Sequence, residues 1–272
     1  MLFICYPALM TRILDFSLPD YNGWLRLVFD HPTREDELGN NYWIWEDGLD
    51  FEVSDSSVLI AHMTRLCNGF VVATSDYSLQ QIDGGIWTLL SEPVRLGDHL
   101  AEESVPLEAR LRCITSMFQP YKNFVAPSQV EVMENCFDMW WDLIAGGYWH
   151  NVNWKYKSDE LMARMGLLEP EDDVSSSDAT DEEIGDSTSI PDVTWEEISD
   201  EERTILDQML ATLTKILALE EGRCEQYVLH GLGHLHHPQR AAVVQKFIDE
   251  HADEWPEDTW GWVEDCRDGT VM

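Results

Sequence analysis

Apolar side chains recur at three- and four-residue intervals along most of the chain, the spacing of one buried face on an α-helix. In DYNGWLRLVFD (residues 20–30), Trp24, Leu27 and Val28 form such a stripe, and His31-Pro32 ends it. The aromatic stretch 31–52 has no such period and reads as a loop. Asp55 is placed to cap a helix that runs to Cys67 and closes at Asn68-Gly69. Ser78 opens another to about Leu90, interrupted at Gly84-Gly85 and stopped by Pro93.

Pro106 suits the first turn of a helix over LEARLRCITSMF, and Pro120 breaks its far end. Ser128 opens QVEVMENCFDMWWDLIAGG, with Gly146-Gly147 as the terminator, and a further helix is expected at about 157–167. Ser199 is placed to cap ISDEERTILDQMLATLTKILAL, and shorter helices follow at about 222–236 and 239–252. No alternating strand run stands out. The fold class read from this pattern is all-α. Short connections make successive helices antiparallel hairpins, as in a short HEAT- or armadillo-like α-solenoid, although no clean repeat of ~40 residues is present.

Charge changes this picture at one place. The chain of 272 residues carries 52 acidic against 17 basic side chains, a formal net charge of -35. Residues 169–202 hold 15 of the acids and no Lys or Arg. Within them EPEDDVSSSDATDEEIGDSTSIPD has too little apolar surface to offset its ordering entropy. It is read as a disordered acidic insertion at 169–193, between a helical part at 11–168 and another at 194–272 that packs on the first as one structural unit.

Removing that stretch still leaves 37 acids against 17 bases, and only five lysines occur. A salt-adapted host explains a carboxylate-rich, lysine-poor surface, because salt screens the self-repulsion. A basic protein partner, or mimicry of nucleic acid, explains it too. Direct binding to nucleic acid or to an anionic membrane is disfavoured, since both need Lys and Arg. No apolar run approaches the ~20 residues needed to span a bilayer. The six cysteines form no CxxC pair and fall mostly among apolar helix positions, which fits free thiols in a reducing, cytoplasmic setting.

The densest candidate chemistry is CEQYVLHGLGHLHHPQR, residues 224–240. His230 and His234 are four apart, so a helix places them on one face, a spacing zinc can use. His236, His237, Cys224 or a distant carboxylate could complete the shell. Gly231 follows His230, however, so the HExxH glutamate is missing. The same residues can be read as packing. Gly231 and Gly233 then let a neighbouring helix approach, while His236 and His237 lie exposed before Pro238 and interact with the helix carbonyls.

The chain resembles a family of uncharacterised bacterial proteins with an ALHGLGH-type helix after a Cys, here Cys224 and Val228 to His234. Met139-Trp140-Trp141-Asp142 matches that family's MWWD-like helix, and Phe29 to Pro32 its early FDHP segment. The long acidic insertion departs from the family pattern. The resemblance implies a helical, HEAT-like fold and carries over no activity.

Twelve tryptophans are the other unusual feature. They can form a large aromatic core. Alternatively, Trp43, Trp45, Trp140 and Trp141, with Asp142 at the rim, anchor a protein partner. No phosphate-cradling loop, G-x-S-x-G elbow or dinucleotide fingerprint is present, so the reading leans away from an enzyme. An acidic, helical-repeat-like protein–protein interaction module without a cofactor is the expectation. The alternatives are a zinc-dependent hydrolase or metal-binding protein built on His230 and His234, and an acidic nucleic-acid mimic or toxin-neutralising protein.

Overall fold

The computed structural model describes residues 12–35, 41–43, 49–128, 134–164, 192–251, 255–256 and 259–271. The chain enters through strand β1 (Arg12–Asp15) and helix α1 (Tyr21–Phe29), followed by strands β2 (Thr33–Glu35), β3 (Asn41–Trp43) and β4 (Leu49–Glu52). β1 pairs in parallel with β4, Arg12 opposite Leu49, and β2 pairs antiparallel with β3, Thr33 opposite Trp43. The segment expected as a loop therefore holds strands. Each has only three or four residues, too few for a period-two pattern to register.

The rest is helical: α2 (Ser56–Asn68), α3 (Phe70–Ala73), α4 (Leu79–Leu90), α5 (Leu96–Ala101), α6 (Leu107–Ser116) and α7 (Phe118–Pro120), with a π-helical turn at Tyr121–Val125. Then come α8 (Glu134–Asp138), α9 (Trp140–Arg164), α10 (Asp200–Leu217), α11 (Gly222–His234), α12 (Arg240–His251) and α13 (Trp260–Asp268). The expected caps form. Asp55 accepts from the Ser57 and Val58 amides, and Ser78 and Ser199 make reciprocal capping boxes with Gln81 and Glu202. The start expected at Ser128 leads into 129–133, outside the described residues.

The glycine pairs do not act as the breaks expected of them. α4 runs through Gly84-Gly85, and α9 runs through Gly146-Gly147 for 25 residues to Arg164, taking in the described part of the separate helix expected at 157–167. The Gly147 side faces α5 across a close crossing. A side-chain carbon on Gly97 would lie 2.9 Å from the Ile144 carbonyl oxygen and 3.0 Å from the Tyr148 nitrogen. Glycine there permits backbone contact, and a helix terminated at Gly147 would lose that contact.

α9 packs against α5, α8 and α11, and α10 packs against α6 and α11. Enclosure on several sides explains how two adjacent tryptophans, ~100° apart on a helix, are both fully buried: Trp140 and Trp141 are each 0% exposed. Trp140 stacks on Phe137 at 5.3 Å, which meets Tyr121 edge-on at 5.4 Å. These two tryptophans belong to the core and present nothing to a partner. The Trp43 side chain and Trp45 lie outside the described residues.

Residues 165–191, most of the expected insertion, also lie outside them. Its last two positions do not behave as insertion. Val193 is buried, its amide donates to Asn153 Oδ1 at 2.8 Å, and Asn153 Nδ2 donates to Asp192 at 2.8 Å. Cys67, Cys113, Cys136, Cys224 and Cys266 are free and buried. Among the described residues no helix is long and apolar enough to cross a membrane.

Candidate functional site

His230 and His234 on α11 face two aspartates with the same four-residue spacing, Asp138 at the end of α8 and Asp142 in the first turn of α9. His230 Nδ1 lies 3.3 Å from the Asp138 carbonyl oxygen and 3.5 Å from its carboxylate. His234 Nδ1 lies 3.2 Å from Asp142 Oδ1. Oxygen atoms in front of both Nδ1 atoms favour the tautomer with the ring hydrogen there. The two Nε2 atoms turn towards each other, 3.2 Å apart.

The helix contact itself sets this register. A side-chain carbon on Gly231 would fall 2.3 Å from Trp141 Cβ, so glycine lets α11 close onto α9 between the two His–Asp pairs. The side chain of His230 is 10% exposed and that of His234 27%, which leaves one edge of the quartet open to solvent.

The two rings differ electrostatically. The hydrogen bond to Asp138 outweighs burial and raises the pKa of His230 above the ordinary histidine value. Burial lowers that of His234; the Asp142 charge opposes the effect, and His230 and Arg240 add to it.

The neighbours named as further ligands are engaged elsewhere. His236 stacks on Trp149 at 4.4 Å with planes 7° apart. His237 is buried rather than exposed: Nε2 donates to Asp207 at 2.9 Å, and Nδ1 accepts from the Gln239 amide. Cys224 sits in the first turn of α11, where its amide is capped by Glu221. Among the described residues no group of three or more His, Cys, Asp or Glu is arranged to hold a metal ion. Asp142, expected as a partner-binding rim residue, places its carboxylate 3.2 Å from His234 Nδ1 as a charge partner. Asp138 was not singled out, although CFDMWWD repeats the spacing of HGLGH.

A second surface lies between α1 and the α2–α3 turn. It is an open groove of about 480 Å³, lined by Tyr21, Leu25, Ala73 and Tyr77 together with the charged Arg26, Arg65 and Asp76. The Arg65 guanidinium lies 3.9 Å over the Tyr21 ring. Neither arginine has an ion-pair partner among the described residues, unusual in so acidic a chain. Val72 at the rim is 81% exposed, and Val71 beside it 46%. Nothing in the sequence pattern marked this groove, because its residues come from separate elements.

A larger cavity, about 700 Å³, lies between α5, α6, α9 and the start of α10. Its charges largely satisfy one another. Lys155 bridges Glu103 and Glu202 at 2.6 and 2.8 Å, and Arg110 pairs with Glu201.

No protein-family model, no curated protein and no solved structure matches the chain.

Proposed function

We propose that the chain is a protein–protein interaction module, built from antiparallel helical hairpins stacked in the HEAT or armadillo manner. The supporting observation is the groove between α1 and α2–α3. There the exposed Val72 and two guanidiniums with no ion-pair partner among the described residues border a lining that includes Tyr21, Tyr77 and Asp76. A monomer gains nothing from leaving a large apolar side chain in water beside such a lining, and contiguous apolar surface rimmed by charge is characteristic of docking sites. The fitting partner segment inserts an apolar side chain over Tyr21 and Tyr77 and sets a carboxylate against Arg26 or Arg65. With a net charge of -35 on the module, a partner of net basic charge associates faster, and added salt slows that association.

The test is capture by the full-length chain at low and high salt, with Val72→Asp and Arg65→Glu beside the wild type. Both residues are exposed, so neither substitution disturbs the core. The expected result is a protein retained by the wild type and released by both variants. Equal retention by all three chains would overturn the docking assignment.

A further inference from the structure

We propose that His230 and His234 form a binding site for a divalent transition-metal ion, Zn(II) or Cu(II), a reading independent of the docking groove. Each Nδ1 has aspartate oxygens within 3.2–3.5 Å, which favours the neutral tautomer that carries its hydrogen there and presents a lone pair at Nε2. In that tautomer the lone pairs face each other across 3.2 Å, an arrangement that repels unless a proton or a metal ion lies between them. Two imidazole nitrogens bound at 2.0–2.1 Å to one tetrahedral ion stand about 3.3 Å apart. The observed separation matches that figure and lies at the long end of the hydrogen-bond range, about 2.7–3.2 Å for a nitrogen donor.

What lies behind the rings supports the same conclusion. Metal-binding histidines usually donate their other ring hydrogen to a carboxylate or carbonyl, which fixes the tautomer and strengthens the ligand. Here both histidines have a carboxylate behind the ring, Asp138 hydrogen-bonded to His230 and Asp142 as a charge partner 3.2 Å from His234 Nδ1, from one continuous stretch of chain. The Gly231–Trp141 contact holds the two helices in register, so the nitrogens converge without rearrangement of the backbone. Imidazole suits Zn and Cu in preference to Mg or Ca, which take oxygen ligands. Two protein ligands leave the remaining positions to water, and the open edge at His234 supplies it.

The experiment uses the full chain without a histidine tag, stripped with a chelator and titrated with Zn(II) by calorimetry. The wild type is expected to bind one ion, with affinity about 10- to 100-fold weaker in Asp142→Asn, which retains the ring but loses the carboxylate behind it. His234→Ala is expected to lose at least as much. Helicity of each variant is checked by circular dichroism. Should the variants fail to fold, Cu(II) electron paramagnetic resonance on the wild type gives the answer alone, through hyperfine coupling to two imidazole nitrogens. No Zn(II) uptake by the wild type, unchanged uptake by His234→Ala, or a copper signal from oxygen ligands only would each overturn the assignment. In the first of these cases, a proton shared between the rings takes the place of the metal.

Discussion

Gly231 meets Trp141 so closely that a methyl group on its α-carbon would fall 2.3 Å from Trp141 Cβ. The neighbour is the rigid root of a fully buried indole, so nothing can yield cheaply. Gly231→Ala is expected to cost about 1–3 kcal/mol through overpacking, against a helix-propensity gain of up to ~1 kcal/mol. Gly146 lies in a helix as well, but a carbon there meets only Asp142 Oδ1 at 3.6 Å, an ordinary contact. Gly146→Ala should therefore stabilise by up to ~1 kcal/mol. Urea unfolding of the two variants checks the contrast, and shifts of the same sign would refute the packing account.

A second prediction concerns Arg110, whose side chain is 3% exposed and paired with Glu201, itself 44% exposed. Glu201→Gln leaves a buried guanidinium without its anion. The expected loss is about 1–3 kcal/mol, below the ~3–5 kcal/mol of a fully buried broken pair because water reaches the glutamate side. Glu108→Gln, which removes the exposed i,i+4 partner of Arg112, should cost no more than ~0.5 kcal/mol. Comparable losses in the two variants would show that burial of Arg110 contributes nothing.

The pH dependence of stability should carry a contribution from Glu202. Burial alone would raise its pKa, but hydrogen bonds from Lys155, the Ser199 amide and hydroxyl, and Tyr156 prevail and hold it below the ordinary glutamate value. A group with a lowered folded-state pKa stabilises above its unfolded value, about 4.3 for Glu, and loses that contribution as pH falls through the folded value. Unfolding midpoints measured from pH 6 to pH 3 should fall, and Glu202→Gln should flatten the acid limb. An acid limb of unchanged slope in that variant would remove Glu202 from the account.

Thiol chemistry offers a fourth check. Burial raises the pKa of all five described cysteines, to about 12 at Cys113, Cys224 and Cys266. Native protein should leave these five unmodified by an alkylating reagent at neutral pH, since only the thiolate attacks. In denaturant all five should react. Mass spectrometry finding native modification at any of them would contradict the packing described for α2, α6, α8, α11 or α13.

The helical class was legible because its signals are local. Asp55, Ser78 and Ser199 cap as their neighbours in sequence require, and their helices begin where expected. Glycine was misread at Gly84-Gly85 and Gly146-Gly147, because its meaning depends on what packs against it. A helix pressed backbone to backbone on α5 needs the same residue that ends a helix in water. His237 was misplaced for a similar reason: Asp207, 30 residues upstream, gives it a buried partner that no local pattern reveals.

The histidine pair was half legible. The four-residue spacing placed His230 and His234 on one face, and the sequence also contains the matching Asp138 and Asp142. Only the fold sets the two ladders opposite each other. The Arg26–Arg65 groove had no sequence signature, since each arginine taken alone is an ordinary polar position on an amphipathic helix.

The pairing of β1 with β4 bears on the order in which the chain can assemble. Arg12 is opposite Leu49, so the first strand emerges from synthesis 37 residues before the residue it must pair with. Through that interval α1 can coil on its own local bonds, while the backbone donors and acceptors of β1 have only water to satisfy them. The earliest part of the described chain to be made is thus among the later parts of its neighbourhood to settle. Its parallel ladder closes only after β4 has appeared, and α1, β2 and β3 all lie within the loop that this closure ties off.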